Sequence, residues 1–261
     1  MRSLIITTFI AEFKKEWIDM KRYPIEWVSS LILLIVIFYG IFLGASYISG
    51  KMIQGENLSY TIVSYAQYTL LMGPIYLMGL GIVREAQHGT LEQLFLAPVG
   101  ISSILIIRSV VTFFYQIIMM LVILEVIMLL TGKHLNMSFA IIIPLITTYL
   151  TSIGIGFLIT SIAVVSKRIS QFLDLLQFVF LFLVMIPFTD FKGPFQWIAI
   201  LVPYAPSSGW LRDVMIHNRM GTPLIVMVGG ILNGILWLSL GLFIFKRCVK
   251  VAKRRATLSH Y

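Results

Sequence analysis

The chain has 261 residues, of which 59% are hydrophobic and only 12% charged, and its mean hydropathy is +0.94. Soluble domains carry about 25% charged residues, so this composition excludes an ordinary soluble globular protein. The formal net charge is +9, but no aromatic stacking platform or nucleic-acid motif accompanies the basic residues. We therefore expect contact with membrane lipid and none with nucleic acid.

The first element is an amphipathic helix predicted over residues 5–23. Its apolar face carries Phe9, Phe13, Trp17 and Met20, spaced by four, four and three residues. Its opposite face carries Glu12, Lys15, Asp19 and Arg22. Such a helix lies in the headgroup plane with its aromatic side chains toward the acyl chains. The pattern fits a passive anchor and a force-relaying element equally well.

Six further stretches are apolar enough for transmembrane helices, which need about 20 such residues. They are residues 27–49, 59–83, 104–130, 138–165, 171–188 and 222–245. Little of the chain remains outside them. We therefore expect one all-α, polytopic membrane domain that covers residues 1–261.

The distribution of basic residues predicts the orientation of these spans. Fifteen of the twenty Lys and Arg residues precede the first span, follow the last, or lie near the second and fourth connections. Basic residues concentrate on the cytoplasmic side. The chain is therefore predicted to cross the plasma membrane several times, with both termini in the cytoplasm. The other five, assigned to the outer side, are Lys51, Lys133, Lys192, Arg212 and Arg219.

Residues 84–98 form a polar insert between the second and third spans. Gly89 permits a sharp turn before it, and Thr90 followed by Gln93 fits a capping box. Pro98 and Gly100 end it after about two turns. These signals predict a short helix at the cytoplasmic surface.

The two faces of this short helix differ in chemistry. Leu91, Leu94 and Phe95 share one face by their spacing. Charge comes from Arg84, Glu85 and Glu92. An amphipathic helix of this kind is shaped to rest against another surface.

Residues 187–221, before the last span, are too apolar for a polar linker. They include Phe188, Phe191, Phe195, Trp197 and Trp210, with Pro194, Pro203 and Pro206. We expect short re-entrant helices in the outer leaflet, where protein covers their broken backbone. An aromatic interface belt is a compatible alternative.

Charged side chains within spans are costly and usually functional. Three occur, at Arg108, Glu125 and Asp174. Arg108 is near a cytoplasmic end and is expected to snorkel to water, and Asp174 is close enough to Lys167 or Arg168 for a local pair. Glu125 is the deepest, and with Asp174 it leaves a proton- or ion-coupled carrier as an alternative function.

Catalytic chemistry is not expected in this chain. A P-loop needs Gly-Lys followed by Ser or Thr, but Gly50-Lys51 precedes Met52 and Gly132-Lys133 precedes His134. The four histidines lack metal-ligand spacing, so no metal or catalytic residue is predicted. A non-transporting membrane scaffold is a further alternative.

The order of elements resembles the permease subunit of an ABC-2 type ATP-binding cassette exporter. The closest local match is Glu85, then Gly89-Thr90-Leu91-Glu92-Gln93-Leu94, then Pro98. Ala97 departs from the Thr or Ser common in that family, and Pro203 to Pro206 with Arg212 match its N-P…R pattern only loosely. The resemblance implies that residues 84–98 form a coupling helix that docks onto a separate ATPase subunit.

The same resemblance implies the rest of the assembly. ATP and Mg²⁺ would be held by the partner ATPase, and this chain would need no cofactor. A second permease chain, identical or different, would complete the exporter. The second and fifth spans carry Tyr60, Tyr65, Gln67, Tyr68, Gln171 and Gln177 among aliphatic residues, which suits an amphipathic drug, lipid-linked compound or peptide.

Overall fold

The fold is built from helices joined by short connections. The computed structural model describes residues 2–50, 55–166, 169–188, 200–217 and 223–254, and every element in these ranges is helical. In chain order the helices are α1 Arg2–Arg22, α2 Pro24–Ser49, α3 Glu56–Gln87, α4 Leu91–Leu96, α5 Ile101–Thr131, a 3-10 turn Phe139–Ile141, α6 Ile142–Ser166, α7 Ser170–Met185, α8 Ala205–His217 and α9 Leu224–Arg254. The predicted all-α class is confirmed.

Five helices in the described part of the chain are long and apolar enough to cross a membrane. They are α2, α3, α5, α6 together with its 3-10 turn, and α9. Helix α7 has 16 residues and is about 24 Å long, shorter than the hydrocarbon core of about 30 Å. The predicted span 171–188 thus corresponds to a shorter helix that ends at Met185, and the six-span count stays a prediction.

The ends of the helices follow local sequence signals. Tyr23 separates α1 from α2, and Pro24 occupies the first turn of α2, as the restricted backbone before proline predicts. Helix α5 ends at Gly132, whose φ of 68° is left-handed and whose N–H donates to the Met128 carbonyl. Glycine tolerates this backbone conformation without strain, so the helix stops there.

The core lies between α3 and α6. In each of these helices, 67% of the most apolar 18-residue stretch is buried inside the protein, whereas in α2 the corresponding share is 12%. Exposed side chains of α2 include Ile32, Leu33 and Val36. Because these face away from the rest of the chain and are apolar, they suit contact with lipid.

Helices α6 and α9 cross at closely apposed glycines. A β-carbon added at Gly154 would overlap the backbone of Trp237 and Leu238, and one added at Gly241 would overlap the backbone of Gly154. Small residues let two membrane helices approach this closely and maximise their packing. The crossing fixes α9 against the core.

Residues 187–188 and 200–217 are the described part of the predicted re-entrant segment, and most of them form helix α8. Trp210 and Arg212 are buried on it, at 3% and 2% exposure. Phe191, Phe195 and Trp197 lie outside the described residues, so the re-entrant path itself stays a prediction. The count of basic residues places Arg212 on the outer side of the membrane; its side chain is buried in the bundle, and the side on which it lies stays a prediction.

The buried Arg212 side chain joins three helices. Its guanidinium donates to Ser64 Oγ of α3 at 2.8 Å and to the carbonyls of Val184 and Ile186 at the end of α7. The last carbonyls of a helix have no partner within it and carry partial negative charge. Arg212 therefore caps α7 and ties it to α3 and α8.

Candidate functional site

The insert between α3 and α5 has one buried and one exposed face, as predicted. Leu91, Leu94 and Phe95 of α4 are buried against the bundle. Glu92 is exposed, and the Leu96 side chain is 81% exposed.

The backbone turn before α4 forms as expected, but its capping does not. Gly89 has a φ of 70°, which glycine adopts readily. The predicted capping box of Thr90 and Gln93 is wrong, since the Thr90 side chain accepts no cap bond. Its hydroxyl instead donates to Glu85 Oε2 at 2.5 Å. A hydrogen bond to an ionised carboxylate is stronger than one between neutral groups. The Thr90 hydroxyl therefore bonds to Glu85 and does not cap α4.

Arg108 forms an ion network with two carboxylates. Its Nε donates to Glu12 Oε1 at 2.7 Å, and its Nη1 donates to Glu85 Oε1 at 2.9 Å. The expected snorkelling of Arg108 to water is therefore replaced by pairing within the chain. The planar guanidinium fork can serve two acceptors at once, which a lysine cannot do with the same geometry. With Thr90, these residues make a network that joins α1, the end of α3, the turn before α4, and α5.

Helix α1 turns Glu12 toward this network, and part of its apolar face is exposed. Glu12 has 15% of its side chain exposed, whereas Phe13 and Trp17 are 40% and 43% exposed. Phe9 and Met20 are half-buried, and the Phe9 and Phe13 rings lie 6.3 Å apart. The exposed apolar face suits the lipid contact predicted for residues 5–23, while Glu12 ties the helix to α5.

The other two charged residues of the spans do not meet. Asp174 accepts a hydrogen bond from the Tyr76 hydroxyl at 3.4 Å, while Lys167 and Arg168 lie outside the described residues. Glu125 is exposed about 9 Å before the end of α5. Since α5 and α7 both run from the α4 side to the α8 side, the two carboxylates lie near opposite ends of the bundle.

A cavity of about 890 Å³ opens beside the network. Its lining comes from α1, α2, α3, α5 and α7, and includes Glu16, Asp19, Trp27, Tyr68 and Gln177. Of these five residues, the sequence had indicated only Asp19, on the polar face of the first helix, and Tyr68 and Gln177, in the second and fifth spans. The polar side chains on α1 become neighbours of α3 only when the chain folds, so spacing along one helix could not reveal the cavity.

Nothing in the described part of the chain gathers three or more metal-binding side chains. The geometry thus comprises a helical bundle, the short helix α4 with one exposed face at one end of it, and an ion network behind that helix.

Comparison with known families identifies the class of protein. Residues 51–245 match the model of the ABC-2 family transporter proteins, and the chain belongs to this family. It is a multi-pass membrane component of a transporter rather than a catalytic subunit, and the family normally works with an ABC ATPase. The search of curated proteins finds no match to this chain.

Proposed function

We propose that this chain is the permease subunit of an exporter, and that a separate ABC ATPase docks on residues 84–98. The observation that carries the proposal is the exposed face of α4, which is braced from behind by the Glu85–Arg108–Glu12 network. Both termini and α4 would face the cytoplasm, and ATP and Mg²⁺ would be bound by the partner. The plasma membrane is the proposed location.

Docking would use the groups on α4 that the chain itself leaves exposed. Both Glu85 carboxylate oxygens accept hydrogen bonds within the chain, from Arg108 and Thr90. Glu92 and Leu96 are exposed and are the proposed contacts with the ATPase. Leu91 and Leu94 hold the segment to the bundle, so that a push on α4 reaches the spans.

The ion network would distribute that push. Closure of the ATPases on nucleotide would displace α4 and with it the Glu85 end of α3. Arg108 would pass the displacement to α5 and, through Glu12, to α1. With a second permease chain, identical or different, the movement would open an outward route for an amphipathic drug, lipid-linked compound or peptide.

Glu125 separates this proposal from an ion-coupled carrier. In Glu125→Gln, efflux of a fluorescent amphipathic reporter from cells should stay within a few-fold of wild type, because ATP supplies the energy. Efflux should stop on ATP depletion and persist when the pH gradient is collapsed. Asp174→Asn, at the opposite end of the bundle, is the matched second variant. Gradient-driven efflux that disappears in either folded variant would favour the carrier.

A further inference from the structure

The cavity between α1, α2 and α3 has the size of a small-molecule site. Its volume of about 890 Å³ lies in the range of about 300–1,000 Å³ typical of pockets that hold drug-sized ligands. It runs from the acidic face of α1 to Tyr68 and Met72 of α3. A molecule inside it would therefore touch both the interfacial helix and the core of the bundle.

The charge of the lining is opposite to that of the chain. Five carboxylates line the cavity, from Glu12, Glu16, Asp19, Glu26 and Glu85, against the three cationic side chains of Lys15, Arg84 and Arg108. The chain as a whole carries a formal charge of +9. A negative lining in a positive protein marks a place where a cation is stabilised.

Three of these carboxylates are left without an ion pair. Arg108 is occupied by Glu12 and Glu85. Glu16, Asp19 and Glu26 form no ion pair within the described ranges. Burial raises the pKa of the Glu16 carboxyl, with Asp19 and Glu12 adding to the rise and Lys15 and Arg108 opposing it. A cation bound nearby would compensate for part of the hydration that the Glu16 carboxylate loses on burial.

Tyr68 supplies a second, independent indication of a ligand. The side chain is 8% exposed and lines the cavity, and its hydroxyl has no hydrogen-bond partner among the residues that the structure describes. The hydroxyl is not fully enclosed by protein and can both donate and accept, so it is available to a molecule in the cavity. The aromatic side chains of Trp27 and Tyr76 also line it, and aromatic rings attract cations.

We propose that this cavity binds an amphipathic organic cation, with the charged group among Glu16, Asp19 and Glu26 and the apolar body against α2 and α3. If the cavity holds the transported molecule, the substrate of the exporter is an organic cation; this part of the proposal rests on the proposed function. Its position beside the interfacial helix would admit such a cation from the cytoplasmic leaflet.

Two ions of the same shape and opposite charge test the proposal. Saturable binding of radiolabelled tetraphenylphosphonium and of tetraphenylborate is measured on the purified full-length chain, with protein-free micelles subtracted. We expect saturable binding of the cation alone. Glu16→Gln/Asp19→Asn should raise its Kd about tenfold, the ratio that corresponds to about 1.4 kcal/mol. Glu56→Gln, which removes a carboxylate from the far end of α3, should leave the Kd unchanged.

The ATPase is absent from this measurement, so its result is independent of the transport mechanism. Equal saturable binding of both ions, or a Kd unaffected by the charge-neutral variants, would overturn the proposal even if ATP-driven transport were demonstrated. Should the double variant fail to fold by gel filtration, Glu26→Gln on α2 provides the same comparison. Charge-selective binding without ATP-driven transport would instead support the site and count against the exporter.

Discussion

Replacing Arg108 with glutamate will strongly reduce coupled transport while the chain still inserts in the membrane. The substitution removes the donor for Glu12 and Glu85 and places a third carboxylate between them. Charge-assisted hydrogen bonds contribute about 1.5–3 kcal/mol each, so losing them separates α1 from the α3–α4 turn. In vesicles that contain the permease and its ATPase, we expect transport to fall at least tenfold, with nucleotide hydrolysis continuing.

Two variants calibrate that result. Arg108→Lys keeps the positive charge but not the fork that serves two acceptors, so transport should be intermediate. Lys14→Glu makes the same charge reversal at an exposed position of α1 and should transport like wild type. Normal transport in folded Arg108→Glu would show that the network does not relay movement.

Replacing Arg212 with methionine will have the largest effect on folding. The apolar substitute fills most of the volume but leaves Ser64 Oγ and the carbonyls of Val184 and Ile186 without their donor. Each buried polar group left unsatisfied costs about 1–3 kcal/mol. We expect the apparent Tm of the detergent-purified chain to fall by about 5–10 °C, measured by the fluorescence of its tryptophans.

Arg247 provides the matched control for this measurement. It is an exposed arginine of α9 whose guanidinium lies 4.4 Å from the centre of the Phe243 ring. Arg247→Met should change the Tm by little, since exposed contacts of this kind contribute about 0.5–1 kcal/mol. Equal Tm values for the two methionine variants would contradict the capping role of Arg212.

Features encoded by neighbouring residues were predictable from the sequence. The apolar stretches located the long helices, Tyr23-Pro24 located the break before α2, and the spacing of Leu91, Leu94 and Phe95 identified the buried face of α4. These depend on backbone geometry and periodicity over a few turns. The length of α7 was harder, because apolar composition continues to Phe188 beyond the helix end at Met185.

Features created by distant residues were not predictable. Glu12 and Arg108 are 96 positions apart, and Arg212 and Ser64 are 148 apart. A charged side chain within a span usually pairs with another group, so the position of Arg108 indicated that it has a partner. The periodicity of the sequence does not show which acidic residue of α1 that partner is. Competition from Glu85 also removed Thr90 from its expected capping role, which is a tertiary effect on a local motif.

The most direct test of the account is site-specific cross-linking from the tip of α4. Cys248 is the sole cysteine, so a Cys248→Ser background allows Leu96→Cys and Phe139→Cys to be compared in native membranes. Both positions carry highly exposed apolar side chains, 81% and 89%, at opposite ends of the bundle. The account predicts that Leu96→Cys cross-links to an ABC ATPase subunit and Phe139→Cys does not. A transport-competent Leu96→Cys protein that captures no ATPase, or equal capture from Phe139→Cys, would contradict it.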